Sequence, residues 1–162
     1  MKILWAPWRR KFVRKRKHKS CIFCYKIKSK NDKKNYVLYR GKYSFVMLNM
    51  YPYTNGHLMV APYRHVKNLD ELKKDELLEL FELVSEMIKI LYKTHNIDGC
   101  NVGINIGKAA GAGVEKHIHV HIVPRWFGDT NFLPIVADTK VIPESLNETY
   151  QVLKKEIKRR LP

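Results

Sequence analysis

The chain has 162 residues, 45% of them hydrophobic, which suits one domain with a real core and requires no second. With 31 Lys and Arg against 15 Asp and Glu, the formal net charge of +16 points to an anionic partner: nucleotide, nucleic acid or membrane surface. No apolar run approaches the roughly twenty residues of a membrane span, and no apolar signal core precedes the first charges, so the expectation is a cytoplasmic protein with no membrane partner.

Residues 1–20 read as a basic arm. Eight of the eleven positions from Arg9 to Lys19 are Lys or Arg, and without them the net charge falls to +8. Such an arm is either a solvated terminus or a surface that steers polyphosphate or nucleic acid, and Trp5 and Trp8 around Pro7 argue that its start packs on something. Three cysteines make no disulfide framework. Cys21 and Cys24 form half of a zinc site or a reduced pair packed as small hydrophobes, and Cys100 is expected in the core.

Tyr36–Tyr39 and Ser44–Leu48 alternate as two strands joined by a turn at Arg40-Gly41-Lys42, and His57–Ala61 reads as a third, stopped by Pro62. From Asn68 the pattern turns helical. A short turn over Leu69 to Leu72 leads to an N-cap at Asp75, and Leu77, Leu78, Phe81, Val84, Ile88 and Leu91 mark the expected core stripe up to Asn96. Asn101–Asn105 is the fourth strand. Gly107 to Gly113 is a loop of small residues, whose glycines let backbone N–H groups approach an anion, although no Gly-Lys-Ser/Thr ending makes it a P-loop.

That loop feeds His117-Ile118-His119-Val120-His121-Ile122-Val123. On a strand the three imidazoles share one face and the aliphatic residues pack behind them. Aligned imidazoles suit proton transfer, metal ligation or phosphate chemistry. After Trp126 comes a loop, and Pro143 opens a last helix with an apolar face of Leu146, Tyr150, Leu153 and Ile157. The hairpin and alternating strands predict an α+β fold: an antiparallel sheet of about five strands, one long helix and a C-terminal helix. His18 and His95 are expected to be exposed.

The run at 117–123, Asn105-Ile106-Gly107 with its loop, and Gly56-His57-Leu58-Met59-Val60-Ala61-Pro62 together resemble the histidine triad (HIT) family of nucleotide hydrolases and nucleotidyl transferases. Trp5-Ala6-Pro7-Trp8-Arg9, Pro124-Arg125-Trp126 and the segment from Gly128 to Phe132 are similar to the branch containing diadenosine tetraphosphate phosphorylases and fragile-histidine-triad-like hydrolases. The resemblance implies a HIT domain over 21–126, with 127–162 packed on it and the sheet continued across a homodimer.

It further implies that His119 attacks the α-phosphorus of a nucleotide, giving a covalent nucleotidyl-histidine, with His121 and His57 as the other catalytic imidazoles. Nucleotide contacts fall on Asn49, Asn105, Gly107, Gly111, Gly113 and His121, and a structural zinc on Cys21, Cys24, His65 and His117. The substrate class that this resemblance implies is a dinucleoside polyphosphate such as a diadenosine polyphosphate. The chain departs from many members at Gly111-Ala112-Gly113, where they carry a glutamine, so the acceptor, water or phosphate, stays open. Phosphoramidate hydrolysis, and a basic nucleic-acid-binding module acting on adenylylated ends, are the competing readings.

Overall fold

A computed structural model describes residues 21–129 and 142–162. The basic arm, with Trp5, Trp8 and His18, and the segment 130–141 lie outside the described residues. Among those described, strands β1 (Val37–Arg40), β2 (Ser44–Leu48), β3 (Leu58–Pro62), β4 (Gly99–Ile104) and β5 (Val120–Arg125) form one antiparallel sheet in the order β1-β2-β3-β5-β4. Helices α1 (Ile22–Lys28), α2 (Asp32–Asn35), α3 (Lys74–His95) and α4 (Leu146–Arg160) complete the expected α+β architecture.

Strand periodicity divides the sheet into two buried faces. Leu38, Val46, Leu48, Leu58, Val60, Val120 and Ile122 meet α3 and α4 in the main core. The alternate residues Val37, Phe45, Met47, Met59 and Ala61 form a smaller cluster under Phe23 of α1. His121 pairs with Met59 across β5 and β3, and so faces this second layer. The strand itself begins only at Val120, with His117 and His119 on the approach to it.

Helix α3 is rotated from the expected stripe. Leu78 and Phe81 are 58% and 43% exposed, while Leu80, Leu83, Val84, Met87, Ile90 and Leu91 are buried. Both stripes repeat at three and four, so spacing alone could not choose between them. Glu79 pins the rotation: its carboxylate accepts the backbone N–H groups of Lys42, Tyr43 and Ser44 at 2.7, 2.6 and 2.7 Å. The N-cap is Lys73 rather than Asp75, and the Lys73 N–H donates to Glu76 at 2.8 Å.

Helix α4 starts at Leu146 behind a Ser145 cap, not at Pro143; the Ser145 N–H donates to Glu148 at 2.9 Å and its Oγ accepts from the Glu148 N–H at 3.2 Å. Tyr150, Leu153 and Ile157 join the main core, and the Tyr150 hydroxyl and Lys154 Nζ donate to the Val37 and Leu38 carbonyls. His95 is not exposed: its side chain is tucked beside Thr94 and Glu144. Cys100 is half-buried at the margin of the core. No helix among the described residues is long and apolar enough to cross a membrane.

Candidate active site

A continuous row of rings runs along the second face of the sheet. Centroid separations are 4.7 Å from Tyr53 to His57, 5.1 Å from His57 to His121, 4.8 Å from His121 to His119 and 4.7 Å from His119 to Phe23. Phe23 lies 5.1 Å from His117, and His117 lies 5.1 Å from His65. The alternation of the run and the antiparallel pairing of β3 with β5 produce this stack.

The backbone assigns the tautomers. The Tyr53 N–H donates to His57 Nδ1 at 3.1 Å, so in the neutral ring Nε2 carries the hydrogen and donates to His121 Nδ1 at 3.0 Å. His121 is thereby left with an N–H on Nε2. His119 Nδ1–H donates to the His117 carbonyl at 2.9 Å, which leaves the Nε2 lone pair of His119 uncommitted among the described residues. His117 Nε2–H donates to the Pro62 carbonyl at 2.9 Å, so its lone pair is on Nδ1.

Burial keeps these rings neutral. It lowers His57 to about 3, with His121 and His119 adding to the effect, and lowers His121 to about 4, with His119 assisting. His119 is also lowered, chiefly by burial, against the opposing pull of its bond to the His117 carbonyl. A row of neutral imidazoles with one free lone pair and one N–H suits nucleophilic attack beside a hydrogen-bond donor.

His119 and His121 open on a cleft whose walls include Ile22, Phe23, Lys26, Met47, Asn49, Met50, Asn105, Gly111 and Gly113. The fold therefore brings Asn49, Asn105, Gly111 and Gly113 to one place with these histidines. His57 stands behind His121, fully buried, and Asn49 Nδ2 approaches its Nδ1 at 3.4 Å. Gly107 is not among the lining residues; with φ +81° it turns the chain into the loop. The loop spends part of its backbone internally, since the N–H groups of Gly111 and Ala112 donate to the carbonyls of Lys108 and Gly107. Lys26 and Phe23 of the cleft were missed by sequence reasoning, although their positions three apart beside the Cys pair were a signal that one helix face was shared.

On the far side of Phe23 the ligand atoms of Cys21, Cys24, His65 and His117 lie within 4.8 Å of one another. His117 Nδ1 is 3.4 Å from Cys21 Sγ, 3.6 Å from Cys24 Sγ and 3.3 Å from His65 Nδ1, and Cys24 Sγ is 3.3 Å from His65 Nδ1. Tetrahedral zinc with ordinary bond lengths sets ligands about 3.3 Å apart for two nitrogens and about 3.5 Å apart for nitrogen and sulfur. The donor set and spacing fit that ion, and the Nδ1 lone pair of His117 points among the other three ligands.

Residues 30–128 match the HIT domain. An AP-4-A phosphorylase of Mycobacterium tuberculosis is 43% identical over 126 residues, covering 78% of this chain and 65% of the relative, so the chain spans just under two thirds of that protein. A bis(5'-nucleosyl)-tetraphosphatase (asymmetrical) of Schizosaccharomyces pombe is 39% identical over 55% of this chain and 48% of its own length. The crystal structure of a Zn-bound histidine triad family protein from Mycobacterium smegmatis shares the fold with a TM-score of 0.68 at 24% identity, covering 86% of this chain and 94% of that one.

Proposed function

The chain belongs to the HIT family, and on that premise we propose that it is an enzyme cleaving dinucleoside polyphosphates at an α-phosphate through His119. The observation that carries this reading is the hydrogen bond from His119 Nδ1–H to the His117 carbonyl, which leaves the Nε2 lone pair uncommitted beside the cleft. That lone pair attacks the α-phosphorus, the bond from phosphorus to the bridging oxygen breaks, and the electron pair leaves with the polyphosphate. His121 Nε2–H donates to a phosphoryl or leaving oxygen, held in that tautomer by His57 behind it. An oxygen of water or inorganic phosphate then attacks the same phosphorus and frees His119 Nε2. The names of two relatives, a phosphorylase and a tetraphosphatase, support both acceptors as candidates.

Incubation with diadenosine tetraphosphate, with and without inorganic phosphate, tests the proposal. ADP with ATP only when phosphate is present identifies phosphorolysis, AMP with ATP in its absence identifies hydrolysis, and no cleavage in either case refutes the reading.

Zinc held by Cys21, Cys24, His65 and His117 has a structural part in this proposal. Cys21 stands at the N-cap of α1, the helix that places Phe23 against His119, so the four ligands tie that helix to the histidine segment. The catalytic unit in this reading is 21–126, buttressed by 127–162. Strand β4 is a sheet edge with Val102 45% exposed, which supports a homodimer joined edge to edge. Light scattering at a monomer mass would overturn the dimer.

A further inference from the structure

A buried lysine stands in the wall of the cleft with no carboxylate among its described hydrogen-bond partners. Lys26 is 3% exposed, and its Nζ donates to the Asn35 carbonyl at 2.9 Å and to Met50 Sδ at 3.3 Å, the second a weak acceptor. An ammonium has three N–H groups, so these bonds leave one for a ligand. Burial alone brings the group down to about 8. A lysine so placed gains from any further acceptor that enters the cleft, and neither a carbonyl nor a thioether neutralises its charge.

Its position tells which part of a nucleotide it meets. In the proposed reaction the α-phosphorus sits at His119 and His121. Phe23 touches the His119 ring, and Lys26, three residues further along α1 on the same side, is bonded instead to Met50. The cleft that the histidines and the lysine share is also lined by Ile22, Phe23, Met47 and Met50, with Phe23 against His119 and Met50 against Lys26, an apolar wall suited to the flat faces of a base. Asn49, next to Met50 in the chain, lines the same cleft, with its Nδ2 3.4 Å from His57 Nδ1, and so stands at the histidine end of that wall.

Resting on the proposed reaction, we infer that Lys26 reads the nucleobase by donating its one remaining N–H to the edge of a 6-oxopurine that carries O6 and N7, so that the site prefers guanine to adenine nucleotides. Guanine presents two adjacent acceptors along that edge, whereas adenine sets an amino donor beside N7 and turns a like-signed dipole toward the ammonium. A charge-assisted hydrogen bond made with guanine and lost with adenine gives a preference on the order of tenfold.

The test compares GMP with AMP by calorimetry, and diguanosine with diadenosine tetraphosphate by kcat/KM, on the wild-type chain and on Lys26→Met. The wild type is expected to bind GMP about tenfold more tightly than AMP, to show the same ratio in kcat/KM, and to carry it in KM. In Lys26→Met, which keeps the apolar stem and removes the charge, both ratios fall toward unity. A merely structural lysine would weaken both nucleotides alike and leave the ratio standing. Equal binding or an adenine preference in the wild type overturns the inference without need of any variant, as does a guanine preference that survives Lys26→Met. If GMP is preferred and Lys26→Met abolishes the preference while neither dinucleotide is cleaved, the base reading is supported and the proposed reaction fails.

Discussion

Acidification should destabilise the fold through His57, and the size of the effect follows from its surroundings. The ring is fully buried, accepts the Tyr53 N–H on Nδ1 and donates from Nε2 to His121, so protonation would set a charge in a dry site and a hydrogen against the Tyr53 donor. Its pKa is lowered from the ordinary 6.5 to about 3. Above 6.5 neither the folded nor the unfolded chain binds a proton here. Between 6.5 and about 3 the unfolded chain binds one and the folded chain does not, so stability falls as the pH falls, by about 1.4 kcal/mol per unit. At pH 5 the loss from this ring is about 2 kcal/mol. Urea unfolding at pH 7.5 and pH 5 on wild type and His57→Gln isolates it, since every other titrating group is common to both. Wild type should lose about 2 kcal/mol more than the variant over that interval. Equal losses would refute the claim that His57 is held neutral by burial.

Three further outcomes follow from separate parts of the structure. Cys24→Ser should remove bound zinc from protein purified without added metal and lower the melting temperature, as measured by elemental analysis and calorimetry; a wild type with no more than trace zinc would eliminate the metal site. Glu79→Ala strips acceptors from three backbone N–H groups in the β1–β2 turn and should cost about 3 kcal/mol in urea unfolding, with a loss below half a kcal/mol contradicting the role given to that carboxylate. His121→Ala should lower kcat for diadenosine tetraphosphate by about a hundredfold with a smaller change in KM, and an unchanged kcat would remove His121 from the chemistry.

The histidine run and the cysteine pair were legible because their information is local. Alternation in the run assigns sides on any extended backbone, and a Cys-x-x-Cys spacing suits one ion. What joined them lay elsewhere: which tautomer each ring takes depends on the Tyr53 N–H and on the His117 and Pro62 carbonyls, which side-chain pattern does not reveal. The rotation of α3 was misread because its two apolar stripes obey the same period, and a hydrogen-bonded glutamate decides between them. His95 was expected at the surface because its partner Glu144 is distant in sequence. Lys26 escaped notice for a compositional reason. In a chain with 31 basic residues one more lysine reads as surface, and its burial is set by Asn35 and Met50, which reach it only in the folded state.

In the proposed reaction His119 Nε2 bonds to phosphorus. The most direct measurement is mass spectrometry of peptides from protein quenched in base, where a phosphorus–nitrogen bond survives, during turnover of diadenosine tetraphosphate. One nucleoside monophosphate should appear on the peptide bearing His119, localised to that residue by fragmentation and absent in His119→Ala, which should be folded and inactive. Turnover with no adduct, or an adduct on another residue, would contradict that reaction.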